Sequence, residues 1–115
     1  GTSEVMNVIG DVRNKICVII DDLVDSGGTI VNAASALKNK GAKDVYAYVV
    51  HGVLTGQAVK KINNSKIKKF VISNSIMNFK KIKKSKKFQI ISVGTLFAEA
   101  IKRISISKSV SKLFK

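Results

Sequence analysis

Cys17-Val-Ile-Ile-Asp-Asp-Leu-Val-Asp-Ser-Gly-Gly-Thr-Ile30 is the stretch whose reading decides the fold. It opens on an apolar, β-branched run (Ile16, Val18, Ile19, Ile20), the composition of a strand buried on both faces of a parallel sheet. Asp21 and Asp22 follow, then Asp25, then Ser26-Gly-Gly-Thr29 leading into a helical pattern. Strand, acidic pair, small flexible loop and helix start can together hold a sugar phosphate. The loop's free N–H groups and the positive end of the helix accept a phosphate. The carboxylates fall where ribose hydroxyls or a Mg²⁺ ion would lie. Adjacent carboxylates repel each other, and hydroxyl donors or a cation would neutralise Asp21 and Asp22. Asp25 and Ser26 are also candidate helix caps, but capping explains one polar residue and not the series.

Downstream of this stretch, Ile30, Ala33, Ala34 and Leu37 recur at helical spacing, and Lys38, Lys40 and Gly41 form a helix C-terminus. Val45–Val50 is a second buried-strand candidate, completing the spacing of one right-handed βαβ unit. His51–Gly56 reads as a loop, Gln57–Ile62 as a short helix ended by Asn63-Asn-Ser65, and Phe70–Ser73 as a third strand. Asn74–Lys87 has no clear period and reads as a solvent-facing loop carrying the lysine run Lys80–Lys87. Gln89–Val93 is a fourth strand. Thr95–Ile104 is an amphipathic helix with Leu96, Phe97, Ala100, Ile101 and Ile104 on one face. That face suits either an internal core or a partner subunit. Before the central stretch, Glu4–Ile9 reads as an entering strand and Gly10–Lys15 as a connector. The fold class expected is α/β, a parallel sheet flanked by helices, in one domain over residues 1–115. Ligands of such sheets bind outside the carboxyl ends of the strands. The Asp21–Thr29 loop, the His51–Gly56 loop and Asn74–Ser75 lie at such ends.

Composition narrows the class. With 45% hydrophobic residues the chain is expected to fold, and no apolar run approaches the roughly 18 residues of a membrane helix. The N-terminus shows no secretory signal, and the single Cys17 cannot form an internal disulfide; a cytoplasmic setting follows by default. The net charge is +14, with 19 lysines and only two arginines among the basic residues. Nucleic-acid readers lean on the bidentate arginine fork. A scattered lysine excess without arginine reads as a solvated basic surface, with a nucleic-acid partner unexpected. His51, a lone histidine, reads as structural.

The stretch Val18–Ile30 resembles the phosphoribosyl pyrophosphate (PRPP) motif shared by phosphoribosyltransferases and PRPP synthetases. The flanks favour the synthetase: Val5-Met-Asn-Val-Ile-Gly-Asp-Val12, Gly41-Ala-Lys-Asp-Val-Tyr-Ala-Tyr48, Ile62-Asn-Asn-Ser65 and Ser73-Asn-Ser-Ile76 are all similar to it. So are Ser92-Val-Gly-Thr-Leu-Phe-Ala-Glu-Ala-Ile101 and Ser109-Val-Ser-Lys-Leu-Phe114. The likeness is nearly collinear over the whole chain and poorest in the lysine-rich loop. It implies a phosphoribosyltransferase-like fold and the chemistry of ribose-phosphate pyrophosphokinase. That family transfers the diphosphoryl group of ATP to O1 of ribose 5-phosphate, with Mg²⁺, giving PRPP and AMP.

By this resemblance, Ser26, Gly27, Gly28 and Thr29 wrap the 5-phosphate. Asp21 and Asp22 hold ribose hydroxyls or a Mg²⁺ bound to them, and Asp25 stands at the loop entrance. Ser109, Ser111 and Phe114 match tail positions of a phosphate/ADP regulatory site between subunits, and homo-oligomerisation is implied. The match is to the family's C-terminal portion. Its ATP-contacting residues, Mg²⁺-binding His and Asp, and catalytic loop all precede the point matching Gly1. No catalytic residue is therefore expected in this chain, and ATP would bind only with the missing half. The chain opens without Met, as an excerpt would. Gly52, Gln57 and Met77 stand where the family usually has proline, which is expected to loosen those loops. A stand-alone phosphoribose-phosphate-binding or regulatory subunit, a phosphoribosyltransferase and a nucleic-acid binder are the competing readings.

Overall fold

Four strands pair in chain order, all parallel, in the computed structural model, which describes residues 8–114, Phe114 by its backbone alone. The elements are β1 (Ile16–Val24), α1 (Gly28–Asn39), β2 (Asp44–Gly52), α2 (Ala58–Asn63), β3 (Lys69–Ser73), α3 (Phe79–Ile82), β4 (Phe88–Ile91) and α4 (Gly94–Ser105). A 3₁₀ turn, Ser111–Phe114, follows. Each strand is joined to the next through a helix, as parallel pairing requires. The expected α/β sheet with flanking helices is present. The entering strand expected at Glu4–Ile9 is not: Val8 and Ile9 lie outside any strand, and residues 4–7 lie outside the described residues.

Helix α1 stops where its sequence stops it. The N–H of Ala42 donates to the carbonyl of Leu37 and that of Gly41 to Lys38, closing a Schellman turn with Gly41 at φ +95°. Ala42, 4% exposed, is then delivered to the core just before β2.

The core occupies one face of the sheet. Val45, Ala47 and Val49 of β2 and Phe70 and Ile72 of β3 pack with Ile30 and Ala34 of α1, Ala58 and Ile62 of α2, Ile67 and Ile82. Phe70 and its register partner Phe88 bring their rings to 5.0 Å. Burying each of these larger side chains contributes about 1.5–3 kcal/mol.

The other face corrects the sequence reading. β1 is an edge strand, and Ile16, Val18 and Ile20 stand 59%, 50% and 80% exposed instead of buried on both faces. Tyr48, the register partner of Ile20, is also exposed, as are Val50 on β2 and Ile91 on β4. The first halves of β1 and β2 alternate between core and open face, while Phe70–Ser73 of the interior strand β3 are all buried. An apolar, β-branched sequence encodes a face that wants covering; it does not supply the cover.

Three further expectations change. β1 continues through the acidic pair to Val24, so Asp21 and Asp22 lie within the strand. β2 likewise runs on through His51 and Gly52, placing both in the strand instead of a loop loosened by lost proline. The lysine-rich stretch is not a plain solvent loop. It contains α3, whose Ile82 is 5% exposed in the core. Lys81 Nζ donates to the carbonyls of Val53 and Leu54, and Lys87 Nζ to that of Ser65 at 2.8 Å. Burial of the Lys87 ammonium lowers its pKa from the ordinary lysine value. α4 forms as expected, but none of its residues is buried, so its apolar stripe is not an internal core face among the described residues.

Candidate phosphoribose site

The carboxyl ends of β1, β2 and β3 bring together the three segments that the topology placed there. Asp21 and Asp22 are consecutive residues of an extended strand, and their side chains therefore leave on opposite faces. The Asp22 N–H donates to Asp21 Oδ1 at 2.8 Å. Both are exposed. The chain carries 21 Lys and Arg. Yet the ion pairs among the described residues are Lys68–Asp44 and Arg103–Glu99, and neither involves Asp21, Asp22 or Asp25. Among the described residues, the Asp21 and Asp22 carboxylates near the carboxyl end of β1 have no ion-pair partner, in a strongly basic molecule.

The loop that follows is built to leave N–H groups open. Gly27 is the N-cap of α1 at φ +86°, a left-handed conformation that glycine adopts without strain. No side chain caps the helix, and its first turn has no acidic residue. The alternative reading of Asp25 or Ser26 as a helix cap is thus not met, and the first-turn N–H groups of Gly28, Thr29 and Ile30 have no intrahelical acceptor. A Cβ built on Gly28 would meet no atom within 4 Å. Space is thus open beside Gly28 in the first turn of α1, at the end of the helix where the macrodipole favours an anion. Ser26 and Thr29 flank it with exposed hydroxyls.

Asp25 is committed elsewhere. Thr55, beyond β2, donates through Oγ1 to Asp25 Oδ1 at 2.5 Å, and its backbone N–H donates to the Asp25 carbonyl at 3.0 Å. Sequence reading placed the His51–Gly56 loop at a carboxyl end but gave Thr55 no role; a lone Thr-Gly carries no long-range signal. His51 Nδ1 and Ser75 Oγ, 2.7 Å apart, join the β2 and β3 ends, in keeping with a structural histidine. Asn74 joins β3 to β4 by accepting from the Val93 N–H and donating to Ser92 Oγ.

Mg²⁺ has limited protein ligation here. Among the described residues no three or more His, Cys, Asp or Glu side chains gather to hold a metal. Leaving the strand on opposite faces, Asp21 and Asp22 fit Mg²⁺ only in the mode where a single carboxylate touches an ion otherwise held by substrate and water.

The tail residues lie apart, beyond α4. Ser109 Oγ and Ser111 Oγ are 2.8 Å from one another, and Arg103 Nη1 donates to the Ser109 carbonyl. The Phe114 side chain lies outside the described residues. A hollow of about 240 Å³, which sequence reading did not foresee, opens on the uncovered sheet face between Ile20, Tyr48, Val71 and Ile91.

Residues 2–115 match the phosphoribosyl synthetase-associated domain family. The chain belongs to that family. It is 53% identical over 114 residues to the ribose-phosphate pyrophosphokinase of Bradyrhizobium diazoefficiens, covering 99% of this chain and 36% of that protein. The ribose-phosphate pyrophosphokinase of Clostridium tetani is 53% identical over 112 residues, covering 97% of this chain and 35% of that one. Among solved structures, phosphoribosylpyrophosphate synthetase from Mycobacterium smegmatis superposes with a TM-score of 0.81 at 30% identity, over 86% of this chain and 33% of that one. The synthetase resemblance read from Val18–Ile30 and its flanks is borne out, and so is the fold class. The chain spans little more than a third of the length of the curated relatives it matches.

Proposed function

We propose that this chain is the ribose 5-phosphate half-site of a ribose-phosphate diphosphokinase, one domain over residues 1–115 corresponding to the family's C-terminal portion. The observation that carries the proposal is the uncapped N-terminus of α1 opening onto free space at Gly28, after a strand whose latter half carries Asp21 and Asp22, carboxylates with no ion-pair partner among the described residues. The N–H groups of Ser26–Thr29 and the hydroxyls of Ser26 and Thr29 take the 5-phosphate. Asp21 and Asp22 take the ribose hydroxyls or a Mg²⁺ bound to them. Asp25 shapes the loop through Thr55 instead of meeting the ligand. When bound, Mg²⁺ would neutralise charge on the substrate oxygens; the protein's part is to position the sugar so that its O1 faces an ATP held by other residues.

No catalytic group for diphosphoryl transfer is assigned to this chain. ATP binding and turnover are assigned to a companion polypeptide or segment carrying the rest of the family's length, in the cytoplasm. The uncovered apolar sheet face supports such a companion, since all-parallel sheets are normally covered on both faces. Ser109, Ser111 and Phe114 are the proposed regulatory phosphate/ADP contacts, completed by another subunit.

The purified chain, given ATP, Mg²⁺ and ribose 5-phosphate, is expected to form no AMP by chromatography, while ribose 5-phosphate alone raises its melting temperature. At a hundredfold excess over Kd the stabilisation should approach about 2.7 kcal/mol. Sustained AMP formation by the isolated chain would overturn the division of labour. A melting curve indifferent to ribose 5-phosphate would overturn the site.

A further inference from the structure

The loop between β2 and α2 touches no proposed ligand position, yet it is held from both sides. On one side, Asn78 Nδ2 donates to the carbonyls of Gly52 and Val53, and Lys81 Nζ donates to those of Val53 and Leu54 at 3.3 and 3.2 Å. On the other, the N–H groups of Val53 and Leu54 both donate to the Val24 carbonyl, at 2.9 and 3.2 Å. Between these grips sits Leu54 at φ +57°, 1% exposed. A buried, branched, non-glycine residue in the left-handed region is uncommon and persists only where its surroundings over-determine it. The conformation at Leu54 precedes Thr55, whose N–H and Oγ1 both reach Asp25, the residue that opens the phosphate loop.

From this arrangement we propose that Thr55 is a positioning residue for the phosphate loop. By holding Asp25 through both its backbone and its side chain, it pre-sets Ser26–Thr29 in the shape that presents N–H groups to the 5-phosphate. The strained turn at Leu54 is the strut that aims it, and Asn78 and Lys81 brace the strut from the lysine-rich segment. A loop held in its ligand-binding shape spares the ligand the cost of ordering it. The effect therefore appears in affinity more than in fold stability. The assignment of a ligand rests on the ribose 5-phosphate reading; the mechanical coupling does not.

The test compares the full chain with Thr55→Val, which keeps the shape and loses the hydroxyl donor, and Thr55→Ser, which keeps the donor. Native-state hydrogen exchange, without ligand, follows the residue-55 amide, bonded to the Asp25 carbonyl, and the Val31 amide, bonded to that of Gly27. Thr55→Val should accelerate both roughly tenfold or more, as expected for loss of a charge-assisted hydrogen bond, while α1 amides after Ala33 stay unchanged. Thr55→Ser should stay within about twofold of the parent at both amides. Calorimetric titration with ribose 5-phosphate should show the same order, with Thr55→Val weaker by roughly tenfold and Thr55→Ser restored. Unchanged exchange and affinity in Thr55→Val overturn the proposal, as does equal loss in Thr55→Ser. If Thr55→Val exchanges globally like an unfolded chain, Thr55→Ser with the parent exchange pattern upholds the role of the donor, and its failure refutes it. Failure of the parent chain to bind ribose 5-phosphate would refute the ligand, while the exchange arm would still decide the coupling.

Discussion

Gly27 and Gly28 are neighbours in one loop but glycine for different reasons. At Gly27 the backbone, at φ +86°, excludes a side chain, although the nearest atom to a built Cβ, Ile62 Cδ1 at 3.5 Å, is at ordinary contact distance. At Gly28 the backbone is unremarkable and the space is empty. Gly27→Ala is therefore expected to destabilise the fold by about 1–2 kcal/mol, measured by urea denaturation. Gly28→Ala should leave stability within about 0.5 kcal/mol or raise it slightly, because it narrows the unfolded ensemble. Its Cβ would stand in the phosphate's approach, so its ribose 5-phosphate affinity should fall. Equal stability losses at both positions would contradict this account of the loop. The motif Asp21–Thr29 was legible in sequence because its residue types are few and adjacent. The partner of Asp25 was not, since Thr55 lies thirty residues away and its hydroxyl finds the carboxylate only once β1 and β2 pair.

At the scale of elements, local signals were read well wherever the chain closes its own hydrogen bonds. α1 carried its period, its basic last turn and its Gly41 stop, and it runs Gly28–Asn39 much as that pattern predicts. α3 was missed because lysines dominate its four residues and a single apolar side chain, Ile82, provides its attachment. Ile82→Ala should cost about 2–5 kcal/mol if α3 belongs to the core; a loss under roughly 0.5 kcal/mol would return the segment to a solvated loop. The burial of β1 was overread for a different reason: an apolar face records an intended neighbour, not its presence. Extension of β1 and β2 past the expected ends reflects pairing, as Leu23 meets His51 and Val24 meets Gly52. No property of Asp22 or His51 in isolation announces a strand.

Across the whole molecule, the exposed face on Ile20, Tyr48, Val50 and Ile91 and the apolar stripe of α4 stand together with a net charge of +14. Charge of that size opposes self-association while the sheet face favours a partner. A hydrophobic fluorescent dye is expected to bind the folded chain, and Val50→Asp should reduce that binding with the far-UV circular dichroism unchanged, since Val50 is 47% exposed. Undiminished dye binding would place the patch elsewhere. The lysines add a general pull on anions that falls steeply with salt, so ligand binding must be judged at physiological ionic strength.

The central claim, that Asp21–Thr29 holds ribose 5-phosphate, is most directly tested by calorimetric titration of the chain and its Asp21→Ala/Asp22→Ala variant at about 0.15 M salt, where surface attraction is screened beyond roughly 8 Å. The account predicts saturable one-site binding of ribose 5-phosphate by the parent chain, weaker binding of ribose or inorganic phosphate alone, and loss of the signal in the variant. Undiminished binding by the variant, or heat from the parent no greater than from free phosphate, would contradict it.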